Sequence, residues 1–110
     1  MFLCVLVLDR PVVELKFQGS SDDSISLTWS LLSDEKSNVF LQHYILQYRT
    51  THSNSWIKTV PRIPPQTTSY HLKGLKPYTE YEVRLYARNQ HFTSDPSTVV
   101  AKTTEASKIS

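Results

Sequence analysis

The stretch "HLKGLKPYTEYEVRLYARN", residues 71–89, decides the fold. It opens on an alternating run, tightens at Gly74, is stiffened by Pro77, and resumes an alternation in which Tyr81, Val83, Leu85 and Ala87 share one side. A period of two with a tight bend between the runs predicts strand, corner, strand.

The same period continues on both sides of this corner. "VVELKF" (12–17) places Val13, Leu15 and Phe17 on one face, and "SISLTWSL" (24–31) does so with Ile25, Leu27 and Trp29. "QGSSDD" between them reads as a turn, with Gly19 free to take positive φ. "HYILQYRT" (43–50) sets Tyr44, Leu46 and Tyr48 against Ile45, Gln47 and Arg49 and is rich in β-formers. Beyond the polar turn "THSNS", "WIKTV" (56–60) reads as a strand stopped by "PRIPP", since proline offers no ladder donor. "TSYHL" (68–72) and "STVVAKTT" (97–104) complete the set. No segment carries helical spacing over a useful length, so the expectation is all-β with about seven short strands.

Strands that each bury one face are satisfied by two stacked antiparallel sheets, a β-sandwich. The expected inward set adds Tyr70, Leu72, Leu75, Val99 and Ala101 to the residues named above. A chain of 110 residues supports one such domain, placed at 11–105, with residues 1–10 as an N-terminal extension and 106–110 as a C-terminal linker. The apolar run Phe2–Leu8 is too short to span a bilayer. It also lacks the basic start and small-residue cleavage site of a signal peptide.

Composition narrows the function. Twelve Lys and Arg against ten Asp and Glu leave a net charge of +2, which gives no reason to expect nucleic acid. A single cysteine, Cys4, excludes an intradomain disulfide, so stability is left to packing. The histidines, His43, His52, His71 and His91, never occur at short ligand spacing. His43 and His91 fall near one end of the sandwich, where solvated imidazoles are the expected state and neither a metal nor a cofactor is predicted. No nucleophile elbow occurs, and two glycines, Gly19 and Gly74, cannot form a phosphate loop. No enzymatic activity is expected.

In order and spacing, "LTWS" (27–30), "YILQYR" (44–49), the corner at 72–89 and "SDPSTVVAKTTEA" (94–106) resemble a fibronectin type III domain, an immunoglobulin-like sandwich. The most specific element is Leu75-x-Pro77-x-x-x-Tyr81, which looks like that family's tyrosine corner; Trp29 and Tyr48 are its expected core aromatics. The resemblance implies that the Tyr81 phenol hydrogen-bonds backbone near Leu75. Two departures stand out: "SLLSDEKSNVFLQ" (30–42) is longer than usual, and Tyr78 stands where the family often has Gly. No "RGD" is present, so integrin recognition by that motif does not transfer.

The resemblance further implies a noncatalytic interaction or spacer module of a cell-surface receptor or adhesion protein, facing the outside of the plasma membrane. The same fold in an intracellular muscle-type scaffold, or as an accessory domain of an extracellular carbohydrate-active enzyme, is the alternative. Two surfaces are candidates for protein partners. One is the loop end bearing Phe40, His91 and Phe92, beside Asp34 and Glu35. The other is the outward face carrying Arg49, Arg84, Arg88 and Lys102, with Tyr86, Gln47 and Trp56 among them, which also offers weak contact to a sulfated glycan. The competing reading is a solvated face where Arg and aromatic stems cover one another. The isolated chain is expected to be a monomer outside the membrane, its parent membrane-anchored.

Overall fold

The computed structural model describes residues 11–32, 41–56, 58–90 and 92–106, with only the backbone of 58 and 59. Among the described residues there are seven strands: β1 (Val13–Ser20), β2 (Ser24–Leu31), β3 (Leu41–Thr50), β4 (Lys58–Ile63), β5 (Ser69–Lys73), β6 (Glu80–Asn89) and β7 (Ser97–Lys102). They form a three-stranded sheet in the order β1-β2-β5 and a four-stranded sheet in the order β4-β3-β6-β7, with all pairings antiparallel. The architecture is a β-sandwich, as the alternation predicts.

The core is built from the inward positions of the central strands. Ile25, Leu27 and Trp29 of β2 are buried, as are Tyr44, Leu46 and Tyr48 of β3 and Tyr81, Val83, Leu85 and Ala87 of β6. Trp29 meets Tyr44 edge-on, with ring centroids 5.3 Å apart, and Tyr48 meets Tyr81 the same way at 6.0 Å. Such T-shaped pairs add to the area buried because the positive ring edge faces the negative face of its neighbour. The indole N–H of Trp29 makes no well-formed hydrogen bond. Burial pushes the Tyr44 phenol above its usual pKa, and the polarity of the nearby Trp29 N–H partly offsets that push.

Four sequence expectations are corrected. Phe17 is in phase with Val13 and Leu15 yet is 47% exposed. The β1–β2 register shifts between Phe17 and Gly19, and a bulge bends and twists an edge strand away from the opposite sheet. Gly19 itself lies inside β1 and does not take positive φ; the turn is made by residues 21–23, where the Ser21 hydroxyl donates to Asp23 Oδ1. Tyr70 and Val99 are only partly buried, because β5 and β7 are edge strands. Finally, β4 does not stop at "PRIPP" but runs through Pro61 to Ile63, which is buried. It is an edge strand, and its register against β3 shifts between Tyr44 and Leu46, so the missing proline N–H leaves no ladder partner stranded.

One side of the sandwich is stitched between sheets. The Leu15 N–H donates to Ser97 Oγ at 2.9 Å, and Ser20 Oγ donates to the Lys102 carbonyl at 2.9 Å. These side chains satisfy backbone groups that edge strands β1 and β7 would otherwise present to other chains.

Candidate functional site

At the corner between β5 and β6, Gly74 has φ of 76°, which only glycine adopts without cost. The Leu75 N–H then donates to the Asp23 carbonyl in the β1–β2 turn at 2.9 Å. The Tyr81 hydroxyl accepts a hydrogen bond from the Lys76 N–H at 2.9 Å, one residue beyond Leu75. Tyr81 is buried, so this contact provides the Lys76 amide with the partner that water cannot. Pro77, which needs no partner for a donor, follows directly.

Tyr78 also occupies the left-handed region, with φ of 49°. This accounts for glycine's suitability there: a side chain with a Cβ in that region is held against a cost of about 1 kcal/mol or more. Its exposed ring lies beneath Lys102, whose Nζ is 3.7 Å from the centroid, and its N–H donates to the Thr104 carbonyl. Thr103, a residue that apolar patterning passes over, is the buried hub of this corner. Its hydroxyl accepts from the Thr79 N–H at 2.9 Å and donates to the Lys76 carbonyl at 2.6 Å. The signal for it was positional, since 103 continues the inward series of 99 and 101.

The outward face of the four-stranded sheet is ordered by register. Gln47 stands opposite Arg84, Arg49 opposite Glu82, and His43 opposite Arg88. Arg49 is largely neutralised there: its Nε donates to Glu82 Oε1 at 2.8 Å and its second terminal nitrogen lies 2.6 Å from the same oxygen. The other terminal nitrogen donates to the Ser53 carbonyl, and the guanidinium also covers Trp56 at 4.8 Å. Arg84 lies between two rings, 3.7 Å from the Trp56 centroid and 5.5 Å from that of Tyr86, and its Nε donates to Gln47 Oε1 at 2.6 Å.

Trp56 itself lies outside β4, half-buried beneath the two guanidiniums. Arg88, further along β6, is exposed and donates to the Thr93 hydroxyl at 2.9 Å. His43 is half-buried, and its imidazole is held below its usual pKa, first by burial and then by Arg62 and Arg88. The face therefore joins Arg49 and Arg84 on Trp56, while Arg88 stands with His43 and Lys102 pairs across the strands with Glu80 at the opposite end.

Of the loop-end residues, Phe40 and His91 lie outside the described residues, as do Asp34 and Glu35. Phe92 is half-buried, its N–H donating to Asn89 Oδ1 at 2.6 Å, while the Asn89 N–H donates back to the Phe92 carbonyl. Among the described residues no group of three His, Cys, Asp or Glu side chains could hold a metal ion. No helix among them is long and apolar enough to cross a membrane.

Known proteins place this arrangement. Over 93 residues the chain is 33% identical to receptor-type tyrosine-protein phosphatase F of Danio rerio, an alignment that covers 84% of this chain and 5% of that protein. It is 30% identical over 83 residues to neural cell adhesion molecule 1 of Gallus gallus, covering 74% of this chain and 8% of that one. The chain thus spans a small part of each relative's length. Among solved structures, the fn3 domain of human contactin 1 superposes with a TM-score of 0.73 at 25% identity, covering 93% of this chain and 82% of that one. The sequence profile of the fibronectin type III domain matches residues 10–103, a span that takes in all seven strands, and the chain belongs to that family.

Proposed function

We propose that this domain is a noncatalytic interaction and spacer module of a cell-surface receptor or adhesion protein, exposed on the outer face of the plasma membrane. Fibronectin type III domains are generally noncatalytic, and the relatives include a receptor-type phosphatase and a cell adhesion molecule. The observation that carries the binding role is the stack of Trp56, Arg84 and Tyr86 on an outward sheet face. Trp, Tyr and Arg dominate the energetics of protein interfaces. An Arg already held by two rings and by Gln47 loses little further freedom when a partner docks, so affinity per contact is raised by preorganisation.

Phe92 and the loop around it form a second contact region at the end of the sandwich.

The test uses a bivalent fluorescent fusion of the domain applied to intact cells, wild type beside Arg84→Ala, together with an antibody to the domain on cells that express the full parent protein. Binding that falls by about tenfold or more in the variant, the loss expected of an interface anchor, supports the stack as the partner surface. Antibody staining of unpermeabilised cells supports the outer face. Staining that appears only after permeabilisation moves the domain to an intracellular scaffold.

A further inference from the structure

The positive charges of the outward face are not equivalent. Arg49 is spent on Glu82, Arg84 is covered by two rings and tied to Gln47, and Lys102 sits opposite Glu80 with its ammonium on Tyr78. At the other end, β4 and β6 bring Arg62 and Arg88 to either side of His43 on β3, where both charges act on its ring. His43 is directly opposite Arg88, and Arg62 precedes Ile63, the buried partner of Tyr44, so it faces outward. Arg62 and Arg88 are exposed, and the partner of Arg88 is a neutral hydroxyl.

We propose that this group, Arg62, His43 and Arg88, is a binding site for a sulfated polysaccharide. The two guanidiniums, set on either side of β3, repel each other weakly, and an anion laid over them removes that cost. The group lies on an open sheet with strands about 4.8 Å apart, where a single small anion is screened by water. A polymer that bears sulfates at intervals makes several contacts at once, so each weak contact adds to the rest, and it sheds counterions as it binds. Guanidinium also matches the oxyanion geometry of a sulfate better than an ammonium does.

The site is coupled to protons through His43. Among the described residues, the charged groups acting on its ring are Arg62 from β4 and Arg88 from β6, both positive; its own strand adds the neutral Gln42, Ile45 and Gln47. In the free protein burial, and after it these two charges, disfavour the imidazolium and favour the neutral ring. A bound sulfate reverses the sign of the local potential and draws a proton onto His43, so binding strengthens as pH falls.

The inference relies on the outer-face reading above only for where such a polymer is met, and its test is made on the isolated 110-residue chain. Heparin binding is measured by calorimetry at low salt. From about pH 7.5 to pH 5.5, affinity is expected to rise about threefold to tenfold, within the limit of about tenfold per pH unit that one linked proton sets. His43→Gln should abolish most of that rise. Arg62→Gln with Arg88→Gln should weaken binding about tenfold, whereas Lys102→Gln, at the far end, should change it less than about twofold.

An equal loss in Lys102→Gln and either single Arg variant means that net charge alone is sensed, and the site is refuted. A pH response that persists in His43→Gln refutes the proton linkage. Polyglutamate binding as tightly as heparin overturns the choice of a sulfated polymer in favour of an acidic peptide. None of these results alters cell-surface staining, so the placement of the domain stands or falls separately.

Discussion

Replacing Tyr81 by Phe removes one atom from the corner and leaves the ring where it packs. The lost oxygen is the acceptor of the Lys76 N–H at 2.9 Å, and Tyr81 is 3% exposed, so water has little room to replace it. Removing one partner of a buried hydrogen bond costs about 1 to 3 kcal/mol, because the donor left behind keeps its desolvation penalty. Lys76 lies beside exposed residues and can relax toward solvent, which places the expected loss at the lower end, about 1 to 2 kcal/mol. With a urea slope of about 1 to 3 kcal/mol/M, the midpoint should fall by about 0.3 to 2 M at unchanged slope. Tyr86→Phe, on the outward face, serves as the control and should stay within about 0.5 kcal/mol of wild type. Equal midpoints for wild type and Tyr81→Phe would refute the reasoning, since the corner would then hold without its phenol.

Three further outcomes follow from the same geometry. Trp29→Ala, in the sealed core, should cost about 3 to 5 kcal/mol, a large share of a small domain's stability, whereas Trp56→Ala should cost about 1 kcal/mol by loss of its guanidinium contacts. A greater loss from Trp56→Ala in denaturant melts would invert the inward and outward assignment. Gly74→Ala should cost about 1 to 2 kcal/mol although its added Cβ meets nothing within 4 Å, because φ of 76° is strained for any L side chain; Gly19→Ala, equally open but not in that region, should be neutral or slightly stabilising. Equal melting temperatures for the two alanine variants would contradict this. Burial raises the phenols of Tyr44 and Tyr48, with Tyr81 and Tyr70 adding to the rise at Tyr48. A raised folded pKa means that their contribution to stability is complete below the unfolded value of about 10 and is lost as pH climbs through the folded value. The tyrosinate absorbance of Tyr44 and Tyr48, the last to appear, should therefore come together with loss of the near-ultraviolet circular dichroism signal at alkaline pH, and full ionisation in a protein that keeps its fold would disprove it.

The strands and the sandwich were legible because burial on one face writes a period of two into the chain, and Ile25, Leu27 and Trp29 or Tyr81, Val83 and Leu85 carry it without interruption. Phe17 carried the same signal and is exposed, because its fate depends on a shift in pairing with β2, which is a property of two strands together. Ile63 was hidden by Pro61, Pro64 and Pro65, since the rule that proline ends a strand holds for central strands and gives way at an edge. Thr103 was hidden for the opposite reason. Its position is inward but its chemistry is polar, and only the carbonyl of Lys76 and the amide of Thr79 show why a hydroxyl belongs there.

The outward face shows the limit most clearly. From alternation alone, Arg49, Arg84, Arg88 and Lys102 form one basic stripe on neighbouring strands. Which of them keeps a charge for a partner depends on who stands opposite, and that is set by the β3–β6 register, including a shift between Leu41 and His43 that no local pattern encodes. Moving the register by two residues would set Gln47, rather than Arg49, against Glu82 and remove the neutralising pair. With the register as it is, the centre of the stripe becomes a neutralised, ring-clamped anchor around Trp56. Its end becomes a pair of exposed guanidiniums, Arg88 and Arg62 from the proline segment, on either side of His43. As proposed, a protein partner is assigned to the first and a polyanion to the second, so a face that reads as uniform in sequence is divided by pairing into two surfaces with different chemistry.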